Sequence, residues 1–359
     1  MNTPPVVHLV HFYSAPGGIE ALCSRILPSF NRYTLRVFVI RPPSEDTINV
    51  YEGSDVPVIF GSRNNLVALL MLWKYARRNR DDIFLLFNLG PFFLLAVRLA
   101  GAVRIVYSIH GTRYWKNSWQ RAVRKSAWRL ALGKNVIITS NSEFSRRIFL
   151  DNVCRSHPVN VVYNPIGSDR FRPGPLPAIS RKSGELKIIY AGRLDQGKNL
   201  DKWIDIAVDL HGRNERLTFE VYGTGPLRIP LGERIRKAGA ENYISLKGFR
   251  SDIENVFRDA DLLLFLSEFE SFGNVVVECI LCGTPVIASD IPSMREIFRD
   301  YPVFLVDSSG DLPCQIEERI NKYEVLSDAA EKAGLSFRER FSGQSYIESM
   351  NIIYSTWNG

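Results

Sequence analysis

The chain has 359 residues, of which 45% are apolar and 23% charged, a composition that excludes disordered and fibrous proteins. This length suits two domains better than one. The five cysteines are scattered and odd in number. They therefore do not fit a disulfide framework and favour a reducing compartment, the cytoplasm.

The charge divides unevenly between the two halves. Residues 1–165 contain 21 Lys+Arg against 9 Asp+Glu, a net charge of +12. Residues 166–359 contain 24 against 29, a net charge of −5. A basic half joined to an acidic half suggests that the first half meets something anionic.

Apolar runs rich in Val, Ile and Leu alternate with helical patterns along the first half. Strands are predicted at residues 6–12, 34–40, 83–88, 103–110 and 136–140, and helices at 19–30, 66–80, 92–99, 119–132 and 143–150. Asn88, Gly90, Pro91 and Arg98 interrupt the most apolar stretch, which therefore suits a strand, a turn and a helix better than a membrane span. Continuous apolar strands alternating with helices predict a parallel sheet.

The same alternation returns after a Pro- and Gly-rich stretch, residues 166–185, that we interpret as a linker. Strands are predicted at residues 187–190, 218–222, 244–247, 262–266, 285–288 and 303–305, and helices at 200–211, 230–238, 253–259, 275–282 and 294–299. The sequence thus predicts an α/β fold with two Rossmann-like, doubly wound parallel-sheet domains, residues 1–165 and 186–335. Residues 336–359 are predicted to form a helix that crosses back to the first domain.

Loops with potential for anion binding follow the strands of the second half. In open parallel sheets, ligands bind beyond the carboxyl ends of the strands. Arg193 and Lys198 follow the first of these strands and can neutralise a diphosphate. The predicted helix after Gly273 offers the backbone N–H groups of Asn274 and Val275 to anionic oxygens.

Several motifs stand in a fixed order in this half. They are Gly192-Arg193-Leu194 with Lys198, the turn Gly223-Thr224-Gly225-Pro226, and Glu270 and Glu278 separated by seven residues and followed by Gly283-Thr284-Pro285. Order, spacing and residue types resemble glycosyltransferase family 4, the glycosyl transferases group 1. Weaker matches extend to Gly17-Gly18 and to Asn164-Pro165-Ile166-Gly167.

The resemblance implies two Rossmann-like domains facing a cleft (the GT-B fold) and a retaining, metal-independent hexosyltransferase. The donor would be a UDP- or GDP-linked sugar, with no separate cofactor. Glu270 would contact the transferred sugar, and Glu278 the ribose hydroxyls. His110 at a strand end would assist at the reaction centre. Further expected contacts are Gly18 with phosphate and Gly223, Phe249 and Arg250 with the nucleoside.

Other interpretations stay open at this point. Gly192 to Asn199 almost forms a phosphate-binding P-loop, but Asn199 offers no hydroxyl to magnesium. Cys279 and Cys282 have the spacing of a zinc or redox pair, but a second pair is missing, so helix packing is favoured. The same fold also suits a sugar-nucleotide epimerase or a non-catalytic sugar-nucleotide-binding protein.

Residues 113–129 contain three tryptophans among six Lys and Arg residues. Trp119, Val123, Ala127 and Leu130 share one predicted helical face, a pattern that suits a helix lying on an anionic membrane. A helix whose apolar face packs on the sheet is the alternative. A nucleic-acid motif is missing, so nucleic acid is not expected as a partner. We therefore expect a peripheral protein on the inner face of the cytoplasmic membrane. The family resemblance implies an acceptor that is lipid-linked or a polysaccharide, in bacterial envelope glycan assembly (lipopolysaccharide, O-antigen or capsule).

Overall fold

The computed structural model describes residues 4–13, 18–43, 51, 54–111, 118–166, 169–174 and 184–357. The chain folds into two compact units. The first unit comprises Met1–Pro165 with Gly343–Gly359, and the second comprises Ile166–Ser342.

The first unit contains a seven-stranded sheet whose recorded strand pairs are all parallel. Its strands are β1 (Val6–His11), β2 (Thr34–Val39), β3 (Val58–Phe60), β4 (Ile83–Phe87), β5 (Arg104–Ile109), β6 (Val136–Ser140) and β7 (Val159–Val161). Its helices are α1 (Gly18–Ile26), α2 (Asn65–Arg78), α3 (Pro91–Leu99), α4 (Ser118–Ala131) and α5 (Glu143–Asn152). The strand order is β3-β2-β1-β4-β5-β6-β7, so the order reverses between β1 and β4.

Side chains on the two faces of this sheet form two separate apolar clusters. Phe84 and Leu86 of β4 face the cluster that also contains residues of α2, α3, α4 and α5. Leu85 and Phe87 of the same strand face the cluster with α1. Because successive side chains of a strand point to opposite faces, the fully apolar β4 is buried from both sides.

The second unit contains a six-stranded sheet, again parallel at every recorded pair. Its strands are β8 (Leu186–Ala191), β9 (Leu217–Tyr222), β10 (Ile244–Gly248), β11 (Leu262–Phe265), β12 (Val286–Ser289) and β13 (Leu305–Val306). Its helices are α6 (Leu200–Arg213), α7 (Arg228–Lys237), α8 (Ile253–Asp259), α9 (Asn274–Leu281), α10 (Pro292–Ile297), α11 (Leu312–Asn321) and α12 (Tyr323–Arg340). The strand order is β10-β9-β8-β11-β12-β13. The predicted α/β fold of two parallel sheets is confirmed.

The last helix, α13 (Gly343–Ser355), packs within the first unit. Its Tyr346 and Met350 join the cluster on the α1 face, and Tyr33 donates a hydrogen bond of 2.6 Å to the Asn351 side chain. The helix begins later than the predicted residue 336, because residues up to Arg340 belong to α12.

The helices of the described part of the chain do not meet the requirements of a membrane span. Within those ranges, every helix is too short or too polar to cross a bilayer.

Candidate functional site

Two loops of the second unit lie at the point where its strand order reverses, between β8 and β11. The loop after β8 carries Arg193 and Lys198, and the loop after β11 carries Glu270. The backbone N–H of Glu268 donates to the carbonyl of Gly197, which joins the two loops directly. A crevice at the carboxyl ends of parallel strands, where the strand order reverses, is the usual ligand site of open α/β sheets.

Lys198 and Glu270 form an ion pair between these two loops. Nζ of Lys198 lies 2.6 Å from Oε2 of Glu270, and the two side chains are only 20% and 18% exposed. The other carboxylate oxygen, Oε1, accepts a hydrogen bond of 3.1 Å from the backbone N–H of Ser271. Nζ also lies 5.6 Å from the ring centre of Phe265. The structure thus brings together a predicted phosphate ligand and a predicted sugar ligand.

Arg193 lies in the same loop but extends into solvent. Its side chain is 78% exposed, and its Nε is 2.8 Å from Oδ2 of Asp195. The carbonyl of Arg193 accepts a hydrogen bond from the Tyr190 hydroxyl, which fixes the backbone where the loop leaves β8. An exposed guanidinium paired to one carboxylate keeps further donors for an anion.

The loops after β8, β9 and β10 are hydrogen-bonded side by side. The N–H of Gly192 donates to Tyr222, and the N–H of Gly223 donates to Gly248. Gly223 has φ 137°, and a Cβ there would overlap the carbonyl of Gly192. Only glycine suits this position, so Gly223 sets how closely the two loops approach.

The helix α9 begins at the carboxyl edge of the sheet, directly after Gly273. Gly273 precedes it with φ 98° and ψ 55°, a left-handed conformation that favours glycine. Asn274 and Val275 are the first two residues of the helix, where backbone N–H groups lack partners within the helix itself. Glu278 lies one turn further on and is only 5% exposed. A carboxylate this buried normally has polar partners.

Phe249 and Arg250 follow β10 and lie at the rim of the sheet. Phe249 is 54% exposed, so its ring is available for stacking. Arg250 instead forms a bidentate pair with Asp252, at 2.8 and 2.7 Å. That pair holds the pKa of Asp252 below its ordinary value.

His110 and Gly18 belong to the first unit. His110 directly follows β5, and its Nε2 lies 2.8 Å from the Ser108 hydroxyl. Its ring centre is 5.6 Å from that of Phe87. Burial lowers the pKa of His110 to about 3, so the imidazole is neutral at pH 7. Gly18 is the first residue of α1, whereas Gly17 lies outside the described residues.

Two known family models together match most of the chain. The model described as "Glycosyl transferases group 1" matches residues 176–340. The model described as "Glycosyltransferase Family 4" matches residues 16–170. The chain belongs to glycosyltransferase family 4.

Individual relatives and one solved structure are similar to this chain. A Campylobacter jejuni N-acetylgalactosamine-N,N'-diacetylbacillosaminyl-diphospho-undecaprenol 4-alpha-N-acetylgalactosaminyltransferase is 28% identical over 79% of this chain and 80% of its own length. The GtfA subunit of a Streptococcus agalactiae UDP-N-acetylglucosamine–peptide N-acetylglucosaminyltransferase is 30% identical over 54% of this chain, which spans only 39% of that protein. The crystal structure of Anabaena Alr3699/HepE with UDP and glucose superposes with a TM-score of 0.78 at 20% identity, covering 98% of this chain and 99% of HepE.

For a family 4 chain, the P-loop and metal interpretations of the same residues are less suitable. Asn199 has φ 56° and precedes α6 as its N-cap, where a P-loop would need a hydroxyl. Cys279 lies in α9 and Cys282 is the C-cap residue of that helix. Both are buried, and burial raises the pKa of Cys282 to about 12. Within the described ranges, the structure holds no group of three metal-ligating side chains. Metal independence stays a prediction.

One polar cluster beside the predicted nucleoside loops was not expected from the sequence. Glu220 accepts a hydrogen bond of 2.6 Å from the Tyr222 hydroxyl and lies 3.0 Å from Nζ of Lys247. Burial alone would raise the pKa of Glu220, but the bonds from Tyr222 and Lys247 outweigh it and lower that pKa. The alternation of side chains along β9 was the signal: it places Thr218, Glu220 and Tyr222 on one face and the apolar Leu217, Phe219 and Val221 on the other.

Proposed function

We propose that this protein is a retaining glycosyltransferase that moves a hexose-type sugar from a nucleoside diphosphate to a lipid-linked or polysaccharide acceptor. The second unit binds the donor, and the basic first unit receives the acceptor. The pairing of Lys198 with Glu270 at the reversal point of the second sheet carries the proposal. A sugar diphosphate needs a cation for its phosphates and a hydrogen-bond acceptor for its sugar hydroxyls, and this pair could supply both.

The diphosphate is the leaving group in this proposal. Lys198, Arg193 and the N–H groups of Asn274 and Val275 stabilise its growing negative charge, in place of a metal ion. Glu278 accepts hydrogen bonds from the ribose hydroxyls. Phe249 and Arg250 lie beside the base, and Gly18 contributes a phosphate contact from the first unit.

Transfer proceeds on the face from which the diphosphate leaves. The bond between the anomeric carbon and the phosphate oxygen breaks, a bond to the acceptor oxygen forms, and the acceptor proton passes to the departing diphosphate. Glu270 holds sugar hydroxyls, and its charge steadies the positive character of the anomeric carbon. The neutral His110 contributes a hydrogen bond near the reaction centre but no charge.

The acceptor class is supported by a relative and by charge. The Campylobacter jejuni relative is named for a diphospho-undecaprenol substrate. The net charge of +12 on residues 1–165 suits an anionic lipid surface. We therefore place the protein on the inner face of the cytoplasmic membrane, in bacterial envelope glycan assembly, with α4 against the lipid.

Radiolabelled UDP- and GDP-sugars test the reaction directly. The proposal predicts release of the nucleoside diphosphate only when an undecaprenyl-diphosphate-linked acceptor is added, with EDTA having no effect. NMR of the product should show the same anomeric configuration as the donor. Conversion of the donor sugar without any acceptor would favour an epimerase instead. Donor binding without consumption, over a broad panel of acceptors, would favour a binding protein.

A further inference from the structure

Three helices of the first unit expose an unusual number of large apolar side chains. Half of the eighteen exposed large apolar residues in the described part of the chain belong to α2, α3 and α4. They are Leu66 (74% exposed), Val67, Leu70 (59%), Met71, Phe92, Leu99 (68%), Trp119 (72%), Val123 and Leu130 (63%). An exposed apolar patch of this kind marks an interaction site more often than chance.

These exposed side chains are distinct from the side chains that pack in the core of the unit. Each helix has a separate inner set that packs on the sheet, such as Leu72 of α2, Leu94 of α3 and Trp128 of α4. The helices lie side by side in the order α2, α3, α4. The outer residues Leu66 and Leu70 are one turn apart on α2, so they point to the same side. The outer face is therefore a second apolar surface, independent of the core.

The charge on the same three helices is entirely positive. Their sequences contain eight Lys and Arg residues and neither Asp nor Glu. The cations are Lys74, Arg77, Arg78, Arg98, Arg121, Arg124, Lys125 and Arg129. A surface formed by exposed apolar side chains on helices whose charged residues are all cations complements a partner that is both apolar and anionic.

A shallow groove runs between α3 and α4 on this face. It has a volume of about 500 Å³ and is lined by Phe92 and Leu95 of α3 and by Ala122, Val123, Ser126, Ala127 and Leu130 of α4. Ser126 is the only residue with a polar side chain in this lining. The groove is open along its side, so it suits an extended hydrocarbon chain better than a compact polar ligand.

We propose that α2, α3 and α4 together form a seat for an anionic lipid leaflet, with one hydrocarbon chain in the groove between α3 and α4. Leu66 and Leu70 enter the same leaflet, and the cations contact lipid phosphates. The inference rests on the membrane placement proposed for α4 and extends it to two helices whose sequences do not show the pattern. Two copies that met through this face would bring eight cations of one copy against eight of the other, because these helices contain neither Asp nor Glu.

The double variant L66N/L70N tests the part played by α2. Both residues are highly exposed, so their replacement should leave the fold intact, as thermal unfolding can verify. Co-sedimentation with vesicles of phosphatidylcholine and 30% phosphatidylglycerol should show a partition coefficient about tenfold lower than for the unchanged protein. The matched control I229N/L335N removes two equally exposed residues (75% and 64%) from the second unit and should change nothing.

The variant S126D tests the groove, because it places a carboxylate in the apolar lining without deleting any contact. We expect binding to the same vesicles to fall about tenfold, whereas S336D, at an exposed serine of α12, should have no effect. Lipids with brominated chains should quench the fluorescence of Trp119 when the protein binds. This part of the quenching should be missing in the variant W119F.

The outcomes separate this inference from the simpler one that α4 alone contacts the membrane. If changing Arg124, Lys125 and Arg129 of α4 to Glu abolishes vesicle binding but L66N/L70N and S126D leave it unchanged, only α4 contacts the membrane and the three-helix seat is wrong. Equal binding to vesicles with and without phosphatidylglycerol would also overturn it. A concentration-dependent dimer that L66N/L70N dissociates, without vesicle binding, would assign the face to a second copy.

Discussion

Replacing Glu270 by Gln removes the charge of the carboxylate that pairs with Lys198 while keeping the size of the side chain. In the structure Glu270 holds Nζ of Lys198 at 2.6 Å. If Lys198 binds the donor diphosphate, the Glu270 carboxylate competes with the phosphate oxygens for the same ammonium group. E270Q should therefore strengthen binding of a nucleoside diphosphate that carries no sugar.

The size of the effect follows from the exposure of the pair. Fully exposed ion pairs contribute about 0.2–1 kcal/mol, whereas breaking a buried pair costs about 3–5 kcal/mol. With both side chains about one-fifth exposed, we place this pair near 1–2 kcal/mol, a factor of about 5–30 in an equilibrium constant. UDP or GDP affinity should rise by that factor, and turnover of the sugar nucleotide should fall.

Calorimetric titration of UDP and GDP measures the first effect, and release of labelled nucleoside diphosphate measures the second. The control is E268Q, which makes the same charge change two residues away in the same loop, at an exposed side chain. It should alter neither quantity by more than about twofold. If E270Q binds both nucleoside diphosphates as weakly as the unchanged protein, Lys198 is not the phosphate ligand and the site assignment fails.

Other positions give further expected outcomes. E278A should weaken binding of the complete donor in calorimetry, because it removes the proposed ribose acceptor; unchanged affinity would contradict that role. G223A should lower the free energy of unfolding in urea by about 2–4 kcal/mol, since a Cβ would overlap a neighbouring carbonyl, whereas G212A, with open space around its Cβ, should not destabilise. Burial lowers the pKa of His11 to about 4 in the folded chain, below about 6.5 when unfolded. The unfolded state therefore binds the proton first, and the free energy of unfolding should fall by about 2 kcal/mol between pH 7 and pH 5. H11Q should reduce this dependence of the free energy of unfolding on pH. An unchanged dependence in H11Q would show that His11 is not its cause. Replacing three cations of α4 by Glu should move the protein from the membrane to the soluble fraction; these cations are Arg124, Lys125 and Arg129. Unaltered co-sedimentation with liposomes would refute the placement of α4 against the membrane.

Most of the fold could be predicted because the long strands carry their own signal. All five residues of β4 are apolar and buried, so the run is recognisable without knowledge of its neighbours. The strands β3 and β7 were missed. Each has only three residues at an edge of the sheet, and their partly exposed positions show no continuous apolar run. Their pairing is decided by the neighbouring strand rather than by their own sequence.

The site was predictable in part for a related reason. Because Arg193, Lys198 and Glu270 follow strand ends, their placement at one edge of the sheet follows from the parallel topology. The direct contact of Lys198 with Glu270 could not be predicted from the residues alone. It joins positions 72 apart and depends on β8 and β11 being neighbours, which is a property of the whole sheet. Likewise, α2 is apolar around most of its circumference, so its sequence does not tell which leucines face outward.

In the sheets of both units the strand order reverses beside the first strand. The side chains near that point nevertheless differ in their chemistry. The second unit has a cation and a carboxylate from facing loops, Lys198 and Glu270. The first unit has a neutral imidazole, His110, beside β4, and Asn88 with φ 51° directly after that strand. The cation proposed to bind the diphosphate therefore lies in the acidic unit, whereas eight cations of the basic unit lie on its helices α2, α3 and α4. If donor chemistry and membrane contact are separated in this way, L66N/L70N should leave UDP affinity unchanged, and E270Q should leave vesicle binding unchanged. A variant that altered both would show that the two functions share residues.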